Sequence, residues 1–350
     1  MIRIVLRDQF RTIPQTTGVY LLKNKKNMIL YAGKAKNLRT RVMQYLQKGP
    51  KTLDSRMEML QKEIYSVQVI ELPDELQALL QEDYLIKKHH PPYNIRQKES
   101  QRRYYLHLIQ SDFPSLVSIN RIHDPIQEQN GKFWGPFRDS YHIEHLIDLI
   151  ILAFPIRKCT TTVPQGKCMR AALNQCTGPC FGTINKKEYA MLVQQACAFL
   201  DGNLEPWHQT IETKMNTWIA DRAFEKCRQV QNQIPLAQRF TKRQRFGSLF
   251  KNKVLVLQSN TSPAGYHVFS NGKFLYYADG LFVGDSVQIS QLLTEQKKHN
   301  SSCYSDWELE DRAMIVHSWF QTNKAKQQLS ANFYDVDSNE HVLRLHSSLT

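Results

Sequence analysis

A chain of 350 residues is long enough for two or three compact domains, and its 41% hydrophobic and 22% charged residues with five Trp argue for packed globular structure over disorder. Its 46 Lys and Arg against 32 Asp and Glu give a net charge of +14, which favours a polyanionic partner, nucleic acid above all. MIRIVLRDQF lacks the apolar centre of a signal peptide and no apolar run is long enough to cross a bilayer, so the expectation is a cytoplasmic protein with no membrane partner.

The positive charge is uneven, because Met1 to Ser100 hold 18 Lys and Arg against 10 Asp and Glu. Within that stretch GVYLLKN alternates from Gly18, turns at Asn24 to Asn27 and resumes as MILYAG, the pattern of a β-hairpin. Helical spacing follows over Lys36 to Leu46, with Leu38, Val42, Tyr45 and Leu46 on one face. YSVQVIEL reads as a third strand. Pro73-Asp74-Glu75 then caps a helix, ELQALLQEDYLIKKH, that must end before Pro91-Pro92. The result is an α+β domain.

Further along, Arg102 to Gln110 and Leu116 to Arg121 read as strands, KFWGPFRDS as turn-rich, and Ile143 to Ala153 as an apolar helix. Cys159 to Cys180 is loop-rich, Lys187 to Leu200 is helical, and Glu205 to Gln233 holds a pair of helices. From Lys251 the pattern turns to strands, KVLVLQ and GYHVFSNGKFLYYADG, with Asn271-Gly272 a strong hairpin signal. The acidic SDWELEDR reads as the solvated start of a helix.

Two constellations carry chemistry. In the hairpin, Tyr20 and Tyr31 lie on adjacent strands, Gly33 leaves room for a phosphate backbone, and Lys34, Lys36, Arg39 and Arg41 follow at the helix start. Phosphodiester hydrolysis asks for an aligned water, stabilisation of added negative charge and, in most cases, a divalent cation on a carboxylate. The second is Cys159, Cys168, Cys176 and Cys180, spaced C-x8-C-x7-C-x3-C. Four thiolates suit either zinc or an iron–sulfur cluster, and spacing does not choose between them. Cys197, Cys227 and Cys303 have no partner at ligand spacing and read as ordinary thiols.

Gly18-Val19-Tyr20 and Tyr31-Ala32-Gly33 resemble the paired signature of the GIY-YIG nucleases, with Ala32 where Ile is usual. GKAKNLRTRVMQYL, ALLQEDYLIKKHHPPYNI, FWGPF, FPIRKC, CTGPC and AFLDGN extend the resemblance, over roughly Thr12 to Pro235, to the UvrC family of bacterial nucleotide excision repair. That resemblance implies one Mg²⁺ or Mn²⁺ on Glu82. Tyr31, helped by Lys34, orients or deprotonates the attacking water, Tyr20 holds metal-bound water, and the division between the two phenols stays open. Arg41 neutralises the scissile phosphate, Tyr45 positions it, Gly33 and Asn94 support the site, and Lys36 and Arg39 meet DNA.

For the four cysteines the resemblance favours a [4Fe–4S] cluster, with Zn²⁺ as the alternative. Ile211 to Ile234 resembles the UVR motif that docks on the UvrB helicase, with Phe224 and Glu225 the best match, although Cys227-Arg228 and Gln231 depart from it. The expected organisation is a nuclease domain at 12–96, with a small mixed sheet flanked by helices, and an appended subdomain at 97–158. A cysteine-rich cluster segment at 159–204, a UVR-like hairpin at 205–240 and a β-rich α+β tail at 250–350 follow. No second, RNase H-like centre is recognisable among the acids of the tail, so a single-centre enzyme similar to the shorter homologue Cho is expected. It would cut damaged double-stranded DNA once, 3′ to the lesion, with UvrB presenting the substrate. The rival expectations are a free-standing GIY-YIG endonuclease and a non-catalytic adaptor for DNA or UvrB.

Overall fold

The computed structural model describes residues 2–45, 55–94, 103–121, 131–137, 140–159, 168–259, 265–280, 289, 306–327, 329–336 and 342–345. The chain divides into two units, Met1–Gln101 and Arg102–Thr350.

In the first unit, strands β1 (Ile2–Leu6), β2 (Gly18–Lys23), β3 (Ile29–Ala35) and β4 (Ser66–Glu71) form one sheet in the order β1-β4-β2-β3. Every pairing in it is antiparallel, where a mixed sheet was expected, because β2 and β3 are joined by a tight turn and β4 returns on the other side of β2. The turn is built as its sequence suggests: the Asn24 side chain accepts the N–H groups of Lys26 and Met28, and Asn27 takes φ 61°. Alternation along the strands loads both faces. Tyr20, Leu22 and Leu30 pack with Leu38, Val42 and Tyr45 of the α1 region and Leu60 of α2 (Ser55–Glu63). Helix α1 itself spans Leu38–Met43.

On the other face Val19, Leu21 and Ala32 pack with Ala78, Leu85 and Ile86 of α3, Glu75–His89. Asp74 caps α3 by accepting the Gln77 N–H, and His90, at φ 46°, ends it just before the two prolines. Strand β1 was not foreseen. Only Val5 of its five residues is buried, so it carries no alternating signal of its own.

The second unit begins with a three-stranded sheet, β6-β5-β7, made of β5 (Arg103–Ile109), β6 (Ser115–Arg121) and β7 (Gly131–Phe137). Strand β7 falls on the segment expected to be turn-rich. It tolerates Gly135 and Pro136 because it is an edge strand, with Gly135 at φ 137° opposite a register shift between Tyr104 and Leu106. Helices α4 (Ser140–Ala153), α5 (Met169–Ala172), α6 (Lys186–Leu200), α7 (Glu205–Ala220), α8 (Phe224–Gln231) and α9 (Ile234–Asn252) follow. Leu106, Trp134, Ile147, Phe199, Trp207, Val230 and Ala237 belong to one buried cluster, so the segments expected at 97–158, 159–204 and 205–240 share a core. Helix α9 was not foreseen; Pro235 stands in its first turn, where a missing N–H costs nothing.

Strands β8 (Val254–Ser259), β9 (Gly265–Ser270), β10 (Lys273–Asp279), β11 (Leu329–Val336) and β12 (Val342–Leu345) form a third sheet, also antiparallel, ordered β10-β9-β8-β11-β12. Asn271 and Gly272, at φ 47° and 75°, make the expected hairpin turn, and the acidic segment opens α10 (Asp306–Gln327). Of the tail acids, Asp279 accepts from the Tyr277 hydroxyl (2.7 Å), Asp335 pairs with Lys253 (2.7 Å) and Glu310 pairs with Lys251, while Glu310 and Asp311 both act on Arg243. Asp285, Asp337 and Cys303 lie outside the described residues. Among the described residues no helix is long and apolar enough to cross a membrane.

Helix α4 ends inside the second unit, and its last carbonyls need donors. Lys214 Nζ reaches Leu152 O at 2.5 Å and Ala153 O at 3.2 Å, while the buried Trp207 indole donates to Leu149 O at 2.7 Å. Lys214→Met keeps the aliphatic stem and removes two charge-assisted bonds, so it should cost about 1–3 kcal/mol. Chemical denaturation followed by tryptophan fluorescence should show that loss; an unchanged midpoint would remove this capping role.

Candidate active site

Strand β3 is the outer edge of its sheet, and an edge strand exposes a row of unpaired backbone groups. Here the row is filled from later in the chain. Leu30 O accepts the Tyr93 N–H at 3.0 Å, and the buried Asn94 side chain takes both groups of Ala32, accepting its N–H and donating to its carbonyl, each at 2.8 Å. The next outward group, the Lys34 N–H, donates to Glu82 Oε1 at 2.9 Å. Glu82 is thus fixed from the middle of α3 onto the β3 edge.

On the opposite face of the strand the phenols gather. Tyr20 stands directly across from Gly33 in the β2–β3 register, and a Cβ on Gly33 would lie 2.5 Å from the Tyr20 hydroxyl and 2.8 Å from the Tyr31 ring. Glycine is required here by the rings that lie over it. Tyr20 and Tyr31 have ring centroids 6.1 Å apart, and Tyr45, just after α1, closes a triangle with them at 6.0 and 6.3 Å. The hydroxyls of Tyr20 and Tyr45 share a hydrogen bond of 3.0 Å. Arg41 sits 6.0 Å from the Tyr45 ring centroid and donates to Gln44 Oε1 at 2.7 Å. Asn37 caps α1 through the Thr40 N–H and so starts the turn that presents Arg41 and Tyr45 to the phenols.

Electrostatics ties the two faces together. Burial raises the Tyr31 phenol from its ordinary 10 to about 12, with Tyr45 and Glu82 adding to the rise and Arg41 opposing it. Tyr20 is pushed higher still, by burial first and by Tyr45 and Tyr31 after it. Burial also lifts the Glu82 carboxyl above the ordinary range, against the pull of the Lys34 N–H, and Arg41 acts to lower it. Glu82, Tyr31 and Arg41 therefore lie within one another's field. Both phenols are neutral at ordinary pH, and Glu82 Oε2 has no hydrogen-bond partner among the described residues.

The remaining expected residues are placed as follows. Lys34 sends its ammonium to Glu75 Oε1 and Lys36 sends its own to Glu75 Oε2, each at 3.0 Å. Arg39 Nε donates to Ile13 O at 2.6 Å, tying α1 to the segment before β2. Glu75 was missed from sequence, although its position seven residues before Glu82 puts both on one face of α3.

In the second unit Cys176 is buried and accepts the Gly178 N–H at 3.5 Å. Burial raises its thiol, and Cys159, Cys168 and Cys180 are near enough to raise it further. No group of three or more metal-ligating side chains is assembled among the described residues. Phe224 is 63% exposed at the start of α8, Glu225 beside it is exposed, and Cys227 is buried.

Gly33→Ala should therefore disorder the phenol triangle and destabilise the first unit by about 1–3 kcal/mol, read as a loss of near-ultraviolet tyrosine dichroism and a lower Tm. Tyr31 predicts a pH effect of definite sign. Its folded pKa lies above the unfolded 10, so the stability it contributes is present below pH 10 and is lost as pH rises toward about 12. Base denaturation of Tyr31→Phe should be less steep than that of the wild type in that window. Equal slopes would show that Tyr31 titrates normally.

Residues 16–95 match the family described as the UvrC-like GIY-YIG domain, and residues 103–199 match the UvrC/Cho excinuclease middle domain. The UvrABC system protein C of Methanococcus maripaludis is 33% identical over 233 residues, covering 66% of this chain and 42% of that protein. That of Acetivibrio thermocellus is 27% identical over 332 residues, covering 90% of this chain and 52% of that protein. The chain spans about half the length of these curated relatives. Among solved structures, the GIY-YIG N-terminal endonuclease domain of UvrC from Thermotoga maritima, bound to its catalytic divalent cation magnesium, is 33% identical; the match covers 25% of this chain and 93% of that one, with a TM-score of 0.23. With a GIY-YIG domain of the UvrC type followed directly by the UvrC/Cho middle domain, the chain belongs to the UvrC family.

Proposed function

We propose that this chain is a DNA endonuclease of nucleotide excision repair, which hydrolyses one phosphodiester per engagement, 3′ to a lesion in duplex DNA presented by a UvrB-like helicase. The observation that carries the reading is the meeting, around the β3 edge, of a carboxylate from α3 with the phenol triangle and Arg41.

Glu82 fits a single hard cation. Its Oε1 is committed to a backbone N–H, its Oε2 has no hydrogen-bond partner among the described residues, and a single carboxylate suits Mg²⁺ or Mn²⁺, which keep most of their waters. Such an ion, when bound, supplies Lewis-acid stabilisation of the phosphate and an acidified water. The protein's own groups do the rest. Tyr31 orients the attacking water, and it accepts that water's proton only as the phenolate, after giving up its own proton to solvent against its raised pKa. Tyr20, whose hydroxyl shares a hydrogen bond with that of Tyr45, is fixed in place and holds water beside the site. Arg41 faces the charge that builds on the scissile phosphate, Asn94 stiffens the strand beneath, and Lys36 meets the DNA backbone.

For the cysteine segment the reading is a [4Fe–4S] cluster, supported by four reduced thiols near enough to influence one another, with Zn²⁺ as the alternative. Phe224 and Glu225, exposed at the α7–α8 turn, are the contacts offered to the helicase.

Incubation of the protein with lesion-bearing duplex and Mg²⁺, with and without UvrB, tests the main reading. Glu82→Gln should reduce cutting by more than about 100-fold while DNA binding persists, and Arg41→Ala should reduce kcat by about 10²–10³-fold. Cutting that needs neither lesion nor UvrB would favour a free-standing endonuclease; no cutting under any condition would favour an adaptor. For the cluster, anaerobically purified protein should show broad visible absorbance that Cys176→Ser removes, and a colourless protein containing zinc would overturn the iron–sulfur assignment.

A further inference from the structure

Glu75 occupies the first turn of α3, on the face that carries Glu82, and its two oxygens are divided between two cations. Oε1 accepts Lys34 Nζ and Oε2 accepts Lys36 Nζ, both at 3.0 Å. Two ammonium groups bridged by two oxygens of one anion is the pattern that the non-bridging oxygens of a phosphodiester would make with the same lysines.

The two pairs are built to exchange. The Lys36 side chain is 78% exposed and that of Glu75 27%, so this pair is screened by solvent and worth little by itself. Burial works against the charge on Glu75, but Lys36 and Lys34 hold its pKa below the ordinary carboxylate range, so the carboxylate stays anionic at working pH. Free protein thus meets DNA with its two rim cations already taken.

We propose that Glu75 is an internal competitor for the DNA backbone, a specificity-determining residue that occupies Lys34 and Lys36 until a phosphate displaces it. Duplex that makes few other contacts is then held weakly, while duplex held in place elsewhere displaces the carboxylate. The inference rests on the nuclease reading only in taking the Lys34–Lys36 rim to face DNA.

The test uses the full chain without divalent cation, with anisotropy of a labelled undamaged duplex measured across a salt series. Glu75→Gln keeps the length and polarity of the side chain, and it should tighten Kd by about 3–10-fold and steepen the slope of log Kd against log salt by about one. Glu75→Ser, a second neutral variant suited to a first helical turn, should do the same. Lys36→Ala should cost little affinity in the wild type and several-fold more in the Glu75→Gln background, because only there is the amine free. Glu58→Gln, a neutralisation at an exposed position of α2, should leave Kd unchanged. Binding that does not tighten in either Glu75 variant, or that tightens equally in Glu58→Gln, overturns the proposal. If the wild type fails to cut lesion-bearing duplex in the presence of UvrB and Mg²⁺, the nuclease reading falls while the competition at Glu75 stands on its own measurement.

Discussion

The open edge of β3 is the constraint on which the site depends. A sheet ordered β1-β4-β2-β3 leaves the outward groups of residues 30, 32 and 34 without a strand partner, and buried backbone groups must be paired somewhere. The chain pairs them with a main-chain N–H from Tyr93, a side-chain amide from Asn94 and a carboxylate from Glu82. Each solution is local and geometric. Together they oblige a residue 48 positions further along to sit beside Lys34, which a surface carboxylate on a helix would otherwise have no reason to do.

Because that edge separates two faces, it is also where two kinds of chemistry meet. Apolar packing brings Tyr20 and Tyr45 to the α1 side, while α3 covers the side that carries Ala32 and the Lys34 amine. Only at Gly33 is the strand thin enough for a phenol to lie across it. The acid and the phenols therefore need no shared core; they approach one another around the rim of a strand. Burial that serves packing then sets the electrostatics, holding both phenols neutral and raising the carboxyl.

Much of this was legible in the sequence, and the exceptions have physical causes. The β2–β3 hairpin, α3 with its Asp74 cap, and the spacing of Tyr20, Tyr31 and Gly33 are written in local alternation and capping chemistry. Strand β1 is not, since a strand with one buried residue in five is held by register with β4. Strand β7 was hidden because Gly135-Pro136 reads as a turn unless the strand is known to lie at an edge. Pairing of Asn94 with Ala32, and of Glu75 with two lysines, depends on which strand is outermost. No local pattern encodes that.

Exposure separates the roles of the acidic residues on α3. Glu82 is half-buried and held by a backbone N–H that cannot move without breaking the edge of the sheet, so its position is a property of the fold. Glu75 is held by two lysine side chains, one of them largely in solvent, so its position is a property of the ionic surroundings. The same helix face thus carries one anion that the strand immobilises and another that any stronger anion can displace. A group that must keep its geometry through a reaction belongs in the first kind of setting, and a group that must yield to an incoming polyanion belongs in the second.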